Sequence, residues 1–280
     1  MTAERFEPHR AFLVRLAYRM LGSIAEAEDI VQDAFLRWQA APTDDVVAPR
    51  AYLARIVSRL CLDRMKSAQA RRESYVGTWL PEPVIEPPAE SLANDLSVAL
   101  LLTLERLSPL ERAAFLLHDV FDMDYAEVAS TLERTEAACR QLAARAREHV
   151  RDERPRFTPN PDATKRLGEA FLRAMTTGDV AAFSEMLAED AILYTDGGGK
   201  RLAALNPIYG RDKIIRFFTG IAAKKPLPPL EDVDATTLNG VPGFVVHGED
   251  GPETLSFEID GDLIVAIYAV RNPDKLKHLA

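Results

Sequence analysis

The sequence predicts a multidomain protein: two all-α units, the second carrying a helix-turn-helix, followed by an α+β domain. Three observations carry this. Apolar residues recur at helical spacing, with short breaks, from Phe12 to Val150. Two proline-rich stretches read as linkers: 77–95, with Pro81, Pro83, Pro87 and Pro88, and the segment holding Pro155, Pro159 and Pro161. After Asp162 the pattern changes to two helical stretches and then short β-rich runs divided by glycine turns. By length alone, 280 residues suggest about two domains.

Taken in order, Phe12, Leu13, Leu16, Ala17, Met20 and Leu21 mark a first helix that Gly22-Ser23 ends, with Ser23 as N-cap of the next. Ala25–Trp38 follows, with Ile30, Val31, Ala34, Phe35 and Trp38 on one side. Residues 42–49 form a loop and 50–68 a third long helix. Helices resume near Asp95. In the last part, 163–177 and 179–187 read as helices. Ala191–Thr195, Gly243–His247, Thr254–Ile259 and Leu263–Val270 read as strands, the last two joined by an Asp260-Gly261 hairpin turn.

Hydrophobic residues at 47% and charged residues at 28% are ordinary globular usage and exclude a disordered or collagenous chain. No apolar run approaches the roughly 18 residues of a membrane span. Met1–Pro8 lacks an apolar signal core, so a cytoplasmic protein is expected. Two cysteines, Cys61 and Cys139, both in predicted helices, exclude a disulfide scaffold or a cysteine-rich zinc site, and no cofactor is expected.

The net charge of −9 argues against nucleic acid, but the distribution does not. Residues 50–72 hold seven Lys/Arg and one acid, whereas 73–124 hold two basic and ten acidic residues. A phosphate backbone responds to the field within a Debye length of about 10 Å. On the helix at 50–72, Tyr52, Arg55, Arg59 and Lys66 share one sector, and Leu53, Ile56 and Leu60 another. A cationic face with an aromatic beside it suits single-stranded DNA; the alternative is a solvated helix face.

Segment 125–147 has helix-turn-helix form. Val128, Ala129 and Leu132 point inward on the first helix, and Ala138, Leu142 and Ala146 on the second, which Thr135 caps. Glu136, Ala137, Arg140, Gln141, Ala144 and Arg145 face outward. Arg and Gln pair bidentately with guanine and adenine edges. A helical hairpin in a bundle is the alternative. Asp29, Gln32 and Asp33 share a polar side, which a solvated helix N-terminus would also explain.

Together these pieces resemble a known family. Residues 27–35, AEDIVQDAF, look like the core-polymerase-binding helix of sigma factors. Residues 49–64, PRAYLARIVSRLCLDR, resemble the segment that melts and holds the promoter −10 strand. Residues 107–117, LSPLERAAFLL, with the helix-turn-helix, look like the −35-binding domain. The order and spacing resemble extracytoplasmic-function sigma factors of the sigma-70 type over about residues 5–151. Trp79-Leu80-Pro81-Glu82-Pro83, Asp196-Gly197-Gly198-Gly199-Lys200 and Asn272-Pro273-Asp274-Lys275-Leu276 resemble the subgroup that fuses a SnoaL-like cone domain to the sigma module.

The resemblance implies sigma domain two at 1–75, a linker at 76–95, sigma domain four at 96–153, a second linker at 154–161 and a SnoaL-like regulatory domain at 162–280. It implies that Asp29, Gln32 and Asp33 meet the β′ clamp helices of core RNA polymerase, with the β flap as a second contact. Arg50, Tyr52, Arg55, Ser58, Arg59 and Lys66 would hold the −10 strand, with loop 42–49 shaping a pocket for a flipped base. Thr135, Glu136, Arg140, Gln141 and Arg145 would sit at the −35 element. The three motifs of the fused subgroup would form an interdomain regulatory contact, with Lys200 reaching Glu82, in place of a separate anti-sigma factor. Glu133 departs from the glycine common at the helix-turn-helix turn. The alternative is a DNA-binding regulator whose cone senses a ligand or acts as an isomerase or hydrolase. Its acid-base groups would be Tyr194, Asp196, His247 and Glu258, with His247 and Glu258 pointing into the cone.

Overall fold

The computed structural model describes residues 2–42, 46–72, 75–85, 97–153, 161–178, 180–224 and 229–279. The chain divides into two compact units that interleave in sequence: residues 1–74 with 100–154, and 75–99 with 155–280.

The first unit begins with α1 (Thr2–Phe6), α2 (Arg10–Leu21), α3 (Ile24–Ala40) and α4 (Pro49–Arg72). Gly22 ends α2 in the left-handed region at φ 71°, which glycine adopts without steric cost, and the Ser23 hydroxyl caps α3 by accepting the Glu26 N–H at 3.2 Å. Leu13, Leu16, Ala17, Met20, Ala27, Ile30, Val31, Ala34 and Trp38 are buried at the spacing the sequence foretells. Along α4 the buried arc is Leu53, Ala54, Val57, Ser58, Leu60, Cys61 and Met65, and Ile56 is only half-buried.

The same unit continues with α5 (Val98–Glu105), α6 (Pro109–Phe115), a π-helical turn at Leu116–Val120, α7 (Tyr125–Leu132) and α8 (Glu136–Glu153). Capping boxes start α6 at Ser108 and α7 at Asp124. On α7 the buried residues are Val128, Thr131 and Leu132, while Ala129 is half-buried. On α8 they are Cys139, Ala143, Ala146 and Val150; the expected inward Ala138 and Leu142 are half-buried, because the helix is rotated by about one residue from that reading. The α2–α4 bundle and the α6–α8 group pack on each other. Phe121 sets its ring edge-on against Phe12 at 5.1 Å and under the Arg19 guanidinium. Arg112, fully buried, donates to the Met20 carbonyl and to Glu105, each at 2.6 Å. It thereby serves an orphan carbonyl at the end of α2. Burial pushes the Arg112 guanidinium down to about 9, so it stays cationic at neutral pH.

The second unit holds α9 (Pro161–Thr177), α10 (Ala181–Glu185), β1 (Leu187–Asp196), β2 (Ile208–Tyr209), α11 (Arg211–Ala222), β3 (Val233–Leu238), β4 (Val241–Val246), β5 (Glu253–Asp260) and β6 (Leu263–Val270). The sheet order is β2-β1-β6-β5-β4-β3, parallel at β1–β6 and antiparallel elsewhere. One face, with Leu193, Phe244, Leu255, Phe257 and Ile267, packs on Phe171 of α9, Phe183 of α10 and Ile214 of α11. Helix α11 and strands β2 and β3 were not expected from the sequence. β2 has two residues and β3 (VDATTL) buries only its ends, so neither carries a strand period, whereas α11 does space Ile214, Ile215, Phe217, Phe218 and Ile221 as one helical face, a signal that went unread.

Candidate nucleic-acid and polymerase interfaces

Asp29, Gln32 and Asp33 lie exposed on α3. Leu36, one turn on and 53% exposed, extends the same face and adds the apolar surface that the reading of polar residues passed over. Its spacing of seven from Asp29 was the available signal.

On α4 the structure sets Tyr52 edge-on to Trp38 at 5.7 Å, with the Arg55 guanidinium 5.1 Å from the Tyr52 ring. Arg50 lies 4.3 Å over Phe12. Lys66 pairs with Asp63 at 3.0 Å. Arg59 pairs with Glu133, at the end of α7, at 2.7 Å. Ser58 is fully buried here, since it falls on the same arc of α4 as Ala54, Cys61 and Met65. Of loop 42–49, residues 43–45 lie outside the described residues.

In the helix-turn-helix, Glu133 takes the left-handed conformation at φ 55°, ψ 48° that glycine usually fills. Thr135 caps α8 by accepting the Ala138 N–H at 3.2 Å. Arg140 bonds Glu136 at 2.7 Å and lies 5.0 Å over the Tyr125 ring. Arg145 bonds Glu111 at 2.7 Å, and Gln141 is exposed. These side chains share one exposed stretch of α8, each arginine already held by an acid.

In the second unit, Asp196 extends by one residue the strand read at Ala191–Thr195. It is the last residue of β1 and fully buried. Its carboxylate accepts the Tyr75 hydroxyl at 2.6 Å, the Leu80 N–H at 2.9 Å and the Gly198 N–H at 3.0 Å, and it pairs with the Lys275 ammonium at 2.7 Å. Lys275 also donates to the Leu80 carbonyl and lies 4.2 Å over the Trp79 ring. Asn272 donates to the Tyr75 oxygen at 2.8 Å. Burial and the bond to Asp196 push the Tyr75 phenol well up. A Cβ at Gly198 would meet Asn272 Nδ2 at 2.2 Å, and its φ is +60°, so only glycine fits. Leu80, Pro81, Glu82 and Pro83 are buried, and Leu276 with them. Pro83 offers its carbonyl to His278 at 2.7 Å, and Val84 exchanges backbone and side-chain bonds with Asn239. Lys200 pairs with Asp274 rather than Glu82, because the turn at 197–200 faces the Asn272–Leu276 segment; the pairing lowers the Asp274 carboxyl. Tyr75, Asn239 and His278 went unnoticed in the sequence.

The acid-base reading of the cone meets a different arrangement. Phe171, Phe183, Phe244 and Phe257 fill the helix-covered side of the sheet. Alternation along β5 puts Glu258 on the other side, bonded to Tyr268, which Tyr194 stacks on at 5.5 Å. His247 is exposed and paired with Asp234 at 3.0 Å.

Comparison with known proteins agrees with the helical half. The Sigma-70 region 2 model matches residues 5–71 and the Sigma-70, region 4 model residues 97–150. The chain is 37% identical to the ECF RNA polymerase sigma factor SigJ of Mycobacterium tuberculosis, covering 98% of this chain and 93% of that one. It is 39% identical to a probable ECF sigma factor SigI of the same species over 64% of each chain. The crystal structure of Mycobacterium tuberculosis SigJ superposes with a TM-score of 0.80 at 34% identity, covering 98% of both chains. Among the described residues no helix is long and apolar enough to cross a membrane. Both conserved-order regions and the near full-length likeness place this protein in the extracytoplasmic-function sigma factors of the sigma-70 family.

Proposed function

We propose that this sigma factor directs core RNA polymerase to promoters and that its own C-terminal α+β domain regulates it by gripping the segment between regions 2 and 4. The supporting observation is the buried Asp196 carboxylate. It gathers Tyr75 and Leu80 from that segment, Gly198 from the glycine turn and Lys275 from the C-terminal motif. A grip there limits how far regions 2 and 4 can separate, and separation must match the −35 to −10 spacing. No separate anti-sigma factor is needed for such restraint.

In this reading the face of Asp29, Gln32, Asp33 and Leu36 docks on the β′ clamp helices, and region 4 meets the β flap. Arg50, Tyr52, Arg55 and Lys66 hold the −10 strand, and Arg59 joins them by exchanging Glu133 for phosphate. Ser58 acts from beneath the surface of α4, supporting Arg55 and Arg59. Thr135, Glu136, Arg140, Gln141 and Arg145 meet the −35 element. The protein acts by binding and strand capture, and the phenylalanine-filled side of the sheet favours a domain without catalysis.

The test is in vitro transcription with core polymerase. It compares the full chain, its Lys275→Ala variant and chains ending near residues 157 and 205. Restraint predicts more initiation from Lys275→Ala; support predicts less from the chain lacking 158–280. Equal transcription from all four would reduce the C-terminal domain to a passenger.

A further inference from the structure

Around Tyr125 four side chains converge. The π-helical turn at Leu116–Val120 closes with a bond from Phe121 N–H to the Leu116 carbonyl at 2.9 Å, one residue wider than an α-turn. That extra residue brings two consecutive side chains, His118 and Asp119, to the start of α7 and the middle of α8. His118 is fixed by its Nδ1 contact to the Met123 carbonyl at 2.8 Å and stacks on Tyr125 at 3.9 Å and 29°. Asp119 accepts from Arg147 at 2.6 Å, and Arg147 donates to the Tyr125 hydroxyl at 2.9 Å. The Asp124 capping box fixes the backbone from which Tyr125 springs. Over this anchored ring, 5.0 Å from its centroid, lies the Arg140 guanidinium, steadied by Glu136 at 2.7 Å.

We propose that Tyr125 is a positioning residue for −35 recognition: a ring locked by the π-turn residues His118 and Asp119, the latter through Arg147, that holds the Arg140 guanidinium in one orientation for DNA. This rests on the reading that Arg140 reads the −35 element. An arginine head on a flexible stem loses rotamer freedom when it binds a base edge. A guanidinium already stacked on a fixed aromatic has lost much of it beforehand, and its outer N–H edge stays available for a guanine. Nothing in Tyr125 itself needs to touch a base.

The experiment selects promoter duplexes randomised across the −35 element with full-length protein and core polymerase, and compares base preference position by position. Arg140→Ala should flatten the preference at the base pair that Arg140 reads. Tyr125→Ala and Tyr125→Leu should weaken preference at that same pair by roughly two- to fivefold, the equivalent of one exposed cation–π contact. They should leave the other positions intact. Tyr125→Phe, which keeps the ring, should restore most of it. If Arg140→Ala flattens one position while the Tyr125 variants keep it, the positioning role is wrong. If the Tyr125 variants flatten every position alike, the ring only supports the fold. If Arg140→Ala changes no position, the underlying −35 reading of Arg140 fails, and the proposal with it.

Discussion

The Lys275 ammonium meets the Asp196 carboxylate at 2.7 Å, with the side chains 9% and 0% exposed, so this ion pair is withdrawn from water. Removing one partner of such a pair costs more than the pair contributes, because the other charge stays buried. Lys275→Ala should destabilise the second unit by about 3 kcal/mol, the lower end of the range for broken buried pairs, because Asp196 keeps three hydrogen-bond donors. Denaturant unfolding of the full chain measures it; a loss below about 1 kcal/mol would mean water reaches Asp196.

Tyr75 gives a pH dependence of known sign. Burial, and then the bond to Asp196, raise its phenol above the ordinary value. The folded chain keeps the proton where the unfolded chain, at about pH 10, gives it up. The contribution is therefore full below pH 10 and is lost as pH climbs toward the folded value. Tyr75→Phe should show a shallower alkaline loss of stability than the parent. Identical alkaline curves would place the phenol in contact with solvent.

The surface proposed to face core polymerase is testable by charge reversal. Asp29→Lys with Asp33→Lys should abolish co-purification with core polymerase while helical circular dichroism stays unchanged, since both side chains are exposed on α3. Leu36→Ala should weaken the same association and leave stability within about 0.5 kcal/mol. Undiminished binding by the folded double variant would remove this helix from the interface.

Glu133 combines a cost with a contact. Its left-handed backbone costs on the order of 1 kcal/mol. Its pair with Arg59, whose side chains are 42% and 70% exposed, returns a similar or smaller amount and weakens with salt. Glu133→Gly should thus change stability by less than about 1 kcal/mol and become more favourable relative to the parent as salt rises. Glu133→Ala, which keeps the strain and loses the pair, should be the worse of the two. A loss well above 2 kcal/mol for glycine would show that Glu133 does more than pair with Arg59.

What could be read beforehand divides by range. Gly22, Ser23 and Thr135 were legible because a cap bonds within three or four residues, and the β5–β6 hairpin because Asp260-Gly261 is a local turn. The three sigma segments were legible because each is a contiguous motif. The Asp196 cluster was legible only through the resemblance, which sets the 79–83, 196–200 and 272–276 motifs against one another. Its geometry and the part of Tyr75 were not, because the partners of Asp196 lie 79, 116 and 121 residues away and no local spacing registers them. Glu258 was misassigned because a residue named from a strand-like run carries no sign of which side its strand will bury. The π-turn was hidden too, since one inserted residue leaves the apolar spacing of 113–117 intact.

The interleaving of the two units has a consequence for synthesis. Leu80 leaves the ribosome 195 residues before Lys275, the side chain that takes its carbonyl. At ordinary translation rates that interval is about 10–40 s. Through it regions 2 and 4 emerge whole, while the Leu80 carbonyl is still without the Lys275 ammonium that it meets in the folded chain. The grip on the Trp79–Pro83 stretch is thus sealed from the far side of the second unit, and it closes only once Lys275 has been added to the chain.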